Sequence, residues 1–127
     1  NLLNLHTILI WGSMKEHDDA LVIHQSCPNT SMSERLSFNN LIQLIDKVDL
    51  TIGNDTGPTH IAFALGKKSI TLFGATPASK MMWETERNIA IESDSEVFTQ
   101  KIDKDDFSIA DIPPKKIVDQ AQRLLNV

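Results

Sequence analysis

Three short strand-like runs, each stopping at a glycine, constrain this chain more than any other feature. Thr7-Ile8-Leu9-Ile10-Trp11 stops at Gly12, Asp49-Leu50-Thr51-Ile52 at Gly53, and Ser69-Ile70-Thr71-Leu72-Phe73 at Gly74. The first run is almost wholly apolar. Continuous rather than alternating apolarity fits a strand covered on both faces, as in a parallel sheet. Helical segments lie between the runs. Lys15 to Gln25 contains neither Pro nor Gly. Behind a candidate N-cap at Ser37, the apolar residues Phe38, Leu41, Ile42, Leu44, Ile45 and Val48 recur at helical spacing. Pro58 to Leu65 starts at a proline and ends at Gly66, the asymmetry expected of a short helix. Ser26 to Glu34 reads as loop with room for one short strand, and Asn88 to Ile91 as a further strand. Residues 92–112 read as acidic and irregular. Pro113-Pro114 opens a closing helix with Ile117, Val118, Ala121, Leu124 and Leu125 on one side. Strand, helix, strand, helix, strand is the order of an α/β domain with a parallel sheet. Ligands of such sheets lie beyond the carboxyl ends of the strands. Those ends are Trp11-Gly12-Ser13, Gly53-Asn54-Asp55 and Phe73-Gly74-Ala75-Thr76.

Composition removes several classes. A length of 127 residues holds a single domain, 1–127. Hydrophobic residues at 41% and charged residues at 23% exclude a disordered chain or a fibre. No apolar run reaches the roughly 18–20 residues of a membrane span. Asn1 to Ile10 lack the basic start and small-residue cleavage site of a signal peptide. The single cysteine, Cys27, can form no internal disulfide, which suits a reducing compartment. A net charge of −5 argues against general nucleic-acid binding, which needs a basic face. The acid is concentrated: Glu84 to Asp111 carries nine acidic and three basic residues, or −6, so the remainder sums to +1. That near-neutral remainder can hold an anion. The chain starts with Asn and enters a strand within a few residues, and reads as a domain truncated at its N-terminal side.

Gly53-Asn54-Asp55-Thr56-Gly57-Pro58-Thr59-His60 joins a buried strand to a short helix within a few residues. Glycines let backbone approach a ligand closely, and a helix start offers free N–H groups and partial positive charge. Pro58 cannot donate, which leaves the amides of Thr56, Gly57, Thr59 and His60, the Thr56 hydroxyl and the His60 ring for a pyrophosphate. The same string has a second reading, in which Asp55 or Thr56 only caps the helix and His60 is a surface residue. Gly74-Ala75-Thr76-Pro77 likewise reads as a loop around phosphate or sugar hydroxyls, or as a plain turn. Glu16, after the first strand, can take the two hydroxyls of a ribose or simply favour the first turn of its helix. There is no G-x-G-x-x-G, no P-loop and no G-x-S-x-G elbow. His6, His17, His24 and His60 lack metal-ligand spacing, Asp103, Asp105 and Asp106 lack the rest of a calcium loop, and Trp11 and Trp83 read as packing residues.

Asp49 to Pro77, DLTIGNDTGPTHIAFALGKKSITLFGATP, resembles the C-terminal domain of the ADP-heptose:lipopolysaccharide heptosyltransferases, glycosyltransferase family 9. Strand, D-T-G-x-x-H turn, A-x-A-L helix and F/Y-G-x-T loop agree in order and spacing. Ile8 to Ala20, ILIWGSMKEHDDA, is similar to the W-G and acidic helix start of the type I heptosyltransferases. The resemblance covers most of the chain and is motif-specific over about thirty residues, Asp49 to Pro77. It implies a Rossmann-like parallel sheet flanked by helices, the C-terminal, donor-binding half of a GT-B glycosyltransferase. It implies that Asp55, Thr56, Gly57 and His60 contact the donor's diphosphate and heptose. Glu16 would then stand near the adenosine ribose, Leu36 near the adenine and Thr76 by the phosphates. The implied reaction is inverting transfer of heptose from ADP-L-glycero-D-manno-heptose to the inner core of lipopolysaccharide. It needs no cofactor, and no metal if those groups neutralise the diphosphate.

The resemblance implies that the acceptor site and catalytic aspartate belong to an N-terminal domain outside this chain, and that the family's phosphate-binding lysine comes from an earlier strand and loop that the chain does not include. No catalytic residue is therefore expected on this fragment, and it should be inactive alone. The implied setting is the cytoplasmic, inner face of a Gram-negative inner membrane, with peripheral membrane association of the full-length protein. The chain departs from the family at Ala75 and Lys68, where proline is usual. Two alternatives stand beside this reading: another GT-B enzyme such as a UDP-sugar epimerase, and a non-catalytic α/β signalling module. The second lacks the acidic cluster that a receiver domain carries at its first strand's end.

Overall fold

A computed structural model describes residues 4–74, 84–93 and 108–127. The chain divides into two compact units, residues 1–41 and 42–127. The expected parallel strands form two sheets, one in each unit.

In the first unit, β1 (Thr7–Leu9) runs parallel to β2 (Thr30–Met32), with Thr7 opposite Thr30 and Leu9 opposite Met32. β2 is the short strand for which the Ser26–Glu34 segment left room. The helix α1 (Met14–Ser26) links the two. Its start is fixed by a reciprocal cap. The Glu16 amide donates to Ser13 Oγ at 3.2 Å, and Glu16 Oε2 accepts from the amides of Gly12 and Ser13 at 2.7 and 3.1 Å. Several orphan donors of the helix start are thereby satisfied. β1 is shorter than the apolar run, ending at Leu9, and Trp11 lies beyond it. Its indole N–H donates to the Ser33 carbonyl at 2.9 Å, and its ring meets His17 edge-on at 4.8 Å. Trp11 is thus a packing residue; Trp83 lies outside the described residues.

The boundary between the units falls inside α2 (Phe38–Lys47), which starts where the sequence places it. Ser37 Oγ accepts from the Asn40 amide at 3.2 Å. In the second unit, β3 (Thr51–Asn54), β4 (Ser69–Phe73) and β5 (Asn88–Glu92) form a parallel sheet in chain order. Thr51 lies opposite Ser69, and Ser69 opposite Asn88. The helix α3 (Gly57–Ala64) connects β3 to β4 and ends at Gly66, whose φ of 68° is a left-handed value that favours glycine. A 3₁₀ turn (Ser108–Asp111) and the helix α4 (Pro114–Leu125) follow.

Period-two alternation assigns the faces of this sheet. Ile70 and Ile91 pack with Ile112, Ala121 and Leu124, and Leu72 and Ile89 join them. Ile70, at 0% exposure, is the centre of this core. Full burial of such a side chain contributes about 1.5–3 kcal/mol. The alternate residues belong to the opposite face: Ser69, Thr71, Asn88 and Ala90 are smaller or more polar, and Phe73 is a buried aromatic. There the buried Asn88 amide donates to the Lys67 carbonyl at 2.9 Å and to Ser69 Oγ at 2.8 Å, and its oxygen accepts from Thr85 Oγ1 at 2.7 Å. A buried amide needs such partners. Lys68 Nζ donates to the Leu124 carbonyl at 2.6 Å, so the unusual lysine satisfies an open carbonyl at the end of α4. Among the described residues, no helix is long and apolar enough to cross a membrane.

Candidate functional site

The turn between β3 and α3 is built from its own backbone. The Asn54 carbonyl accepts from the Thr56 amide at 2.8 Å and from Thr59 Oγ1 at 2.8 Å. Thr59 Oγ1 also contacts the Thr56 carbonyl at 3.0 Å. A threonine on the first helical turn that bonds back to preceding carbonyls fixes the angle at which the chain enters the helix. Thr59 is 2% exposed, so this clasp is internal. Its hydroxyl is the residue role that the sequence reading missed. The signal was a Thr three positions after the cap, but that pattern alone does not distinguish a clasp from a solvated side chain.

These bonds shorten the donor set expected from the sequence. The Thr56 amide is committed to Asn54, and the His60 amide makes the first helical bond, to the Thr56 carbonyl at 3.3 Å. The Thr59 amide belongs to a buried residue. Gly57 is exposed, and a Cβ built on it would meet nothing within 4 Å. Its α-carbon therefore faces open space on the side where a side chain would stand. Thr56 is the N-cap residue, yet its side chain makes no capping bond, which leaves the hydroxyl for other use. The capping alternative for Thr56 thus lacks its defining contact.

Asp55 and His60 meet directly. His60 Nε2 lies 2.5 Å from Asp55 Oδ1, with side chains 41% and 20% exposed, respectively. The pair lines a small depression on the α3 face of the sheet, together with Phe63, Thr71, Phe73 and Ala90. The structure therefore brings together Asp55, Thr56, Gly57 and His60. Glu16 and Leu36 belong to the other unit. Glu16 is exposed and held in its helix cap, and Leu36 is half-buried in the segment before α2. Thr76 lies outside the described residues. Gly74 differs from Gly57: a Cβ there would sit 2.7 Å from the Ile109 amide nitrogen.

The unit is thus of the α/β class, with parallel strands whose carboxyl ends lead into a helix start that carries a hydroxyl and an imidazole. Residues 3–108 match the profile of glycosyltransferase family 9 (heptosyltransferase), and the chain belongs to that family. It is 37% identical over 119 residues to lipopolysaccharide heptosyltransferase 1 of Campylobacter coli, across 90% of this chain and 35% of that protein. Lipopolysaccharide heptosyltransferase 3 of Escherichia coli is 44% identical over 52 residues, which is 41% of this chain and 15% of that protein. Among solved structures, E. coli heptosyltransferase WaaC with ADP-2-deoxy-2-fluoro heptose aligns with a TM-score of 0.67 at 14% identity. That alignment covers 94% of this chain and 34% of the other, and it shows a shared α/β fold. The chain spans about a third of the length of the C. coli protein, at 35%.

Proposed function

We propose that this chain is the donor-binding part of an inverting heptosyltransferase, and that its turn at residues 53–60 holds the diphosphate of ADP-L-glycero-D-manno-heptose. The observation that carries the reading is the clasped turn, in a chain of this family, with the Gly57 amide, Thr56 hydroxyl and His60 ring together at the start of α3. In the proposed reaction an inner-core lipopolysaccharide hydroxyl displaces ADP at the anomeric carbon. Negative charge grows on the departing diphosphate, and fixed donors aimed at that charge lower the barrier. The backbone of the turn is held by the Thr59 clasp before the ligand arrives, so little backbone reorganisation is needed. Glu16 serves the adenosine ribose in this reading; its carboxylate is already oriented by the Gly12 and Ser13 amides. Leu36 provides apolar surface for the adenine, and Thr76 contacts the phosphates. The reaction takes place on the cytoplasmic face of the inner membrane, with the full-length protein peripherally associated.

Titration of the chain with ADP, followed by backbone amide shifts, tests the site. Dissociation constants of roughly 0.1–1 mM are expected, with the largest shifts at residues 53–60. His60→Ala should weaken binding by about 1–2 kcal/mol, the range of one charge-assisted hydrogen bond in a part-solvated place. Shifts that cluster elsewhere would overturn the diphosphate assignment.

A further inference from the structure

Among the described residues, β5 has a paired neighbour on one side only, β4. In a parallel ladder, alternate residues turn their backbone N–H and C=O groups to opposite sides. Arg87 and Ser93 face β4: the Arg87 carbonyl accepts from the Ser69 amide at 2.9 Å, and the Ser93 amide donates to the Phe73 carbonyl at 3.0 Å. Asn88, Ala90 and Glu92 therefore present their backbone groups outward. Such a row, on a strand carrying Ile89 and Ile91, is a template for another strand.

The start of that row is already occupied from within the chain. The Thr85 amide donates to the Asn88 carbonyl at 3.1 Å, and Thr85 Oγ1 accepts from the Asn88 amide at 3.1 Å. The next outward amide, that of Ala90, donates to Glu84 Oε1 at 3.1 Å. Thr85 is anchored in turn, because its hydroxyl donates to the side-chain oxygen of the buried Asn88 at 2.7 Å. Glu84 is its neighbour, so the carboxylate reaches the edge from a fixed point. At Ala90 it takes the place of the carbonyl that an added strand would offer.

We propose that Glu84 closes the outer edge of β5 against strand pairing by a second copy of this chain. The inference is independent of the diphosphate reading. Three variants test it beside the wild-type chain. Glu84→Ala opens the Ala90 amide, and Glu84→Gln keeps an acceptor oxygen in its place. Glu84→Ala combined with Ala90→Pro opens the edge but removes the N–H that a second strand would use; proline is tolerated where the N–H points outward. Sedimentation across a concentration series gives the mass, and thermal unfolding checks the fold. Glu84→Ala should associate at concentrations about tenfold below any at which the wild type does. Its Ala90 and Glu92 amides should gain protection from hydrogen exchange as concentration rises. Glu84→Gln should follow the wild type, and the double variant should lose the added association.

Wild-type mass for Glu84→Ala at every concentration would overturn the proposal. So would equal association by Glu84→Gln, which would assign the effect to charge rather than to the bond at Ala90. Association that persists with Ala90→Pro would place the contact away from this edge and overturn it as well.

Discussion

Gly57 and Gly74 follow neighbouring strands of one sheet, β3 and β4, and each lacks a side chain for a different reason. At Gly74 the space is already taken: an added Cβ would lie 2.7 Å from the Ile109 nitrogen and 2.9 Å from its Cβ. The 3₁₀ turn packs directly onto the end of β4, and only a bare α-carbon admits it. At Gly57 the space is open, with nothing within 4 Å. No packing contact in the described structure requires a glycine there. A position that the fold leaves empty is one where a ligand can come up to the backbone. One glycine therefore serves the fold, and the other is free to serve a ligand.

That contrast can be broken by experiment. Gly74→Val should have the largest effect, because backbone rather than a flexible side chain stands in the way. A loss of about 2–3 kcal/mol of unfolding free energy is expected from overpacking, measured by urea denaturation. Stability equal to the wild type would mean that the Gly74–Ile109 contact is absent in solution. Gly57→Val should do the opposite. Its φ is not in the left-handed region and the space is open, but Pro58 follows and disfavours helical backbone at a β-branched residue, so unfolding free energy should fall by only about 1 kcal/mol, less than at Gly74. ADP binding should vanish, since the new side chain occupies the approach to the amide. Retained affinity would remove Gly57 from the site.

The two helix starts sharpen the comparison at a smaller scale. Ser13 caps α1 through a reciprocal pair of bonds with Glu16, whereas Thr56 caps α3 with no side-chain bond. Ser13→Ala should cost about 1 kcal/mol of stability. Thr56→Ala should cost only a few tenths yet weaken ADP binding. A loss at Thr56 as large as that at Ser13 would restore a purely structural role for the Thr56 hydroxyl.

Local rules account for what the sequence revealed. The glycine-punctuated runs placed β1, β3 and β4, helical spacing placed α2 and α4, and β4 matched residue for residue from Ser69 to Phe73. The division into two sheets was not legible, because pairing between strands far apart in the chain depends on register and packing that no short window contains. The two glycine turns looked alike for the same reason: Ile109, which decides the matter for Gly74, is 35 positions further on. Within the D-T-G-P-T-H segment the residue types were informative and the donor assignment was not. Which amides remain available depends on the Asn54 carbonyl, an acceptor every residue possesses and no motif marks.

The bond from Lys68 to the Leu124 carbonyl bears on how the second unit breathes. It joins the entrance of β4 to the last turn of a helix 56 positions away in sequence. A proline at position 68 has no such reach, and a terminal helix without an anchor frays from its end. With the anchor, opening α4 means releasing the lysine as well as the apolar contacts on Ile70 and Ile91. The closing helix and the central strand should then open as one cooperative unit. In hydrogen exchange, the amides of the final turns of α4 should share the protection of β4 in this chain and lose it first in Lys68→Pro.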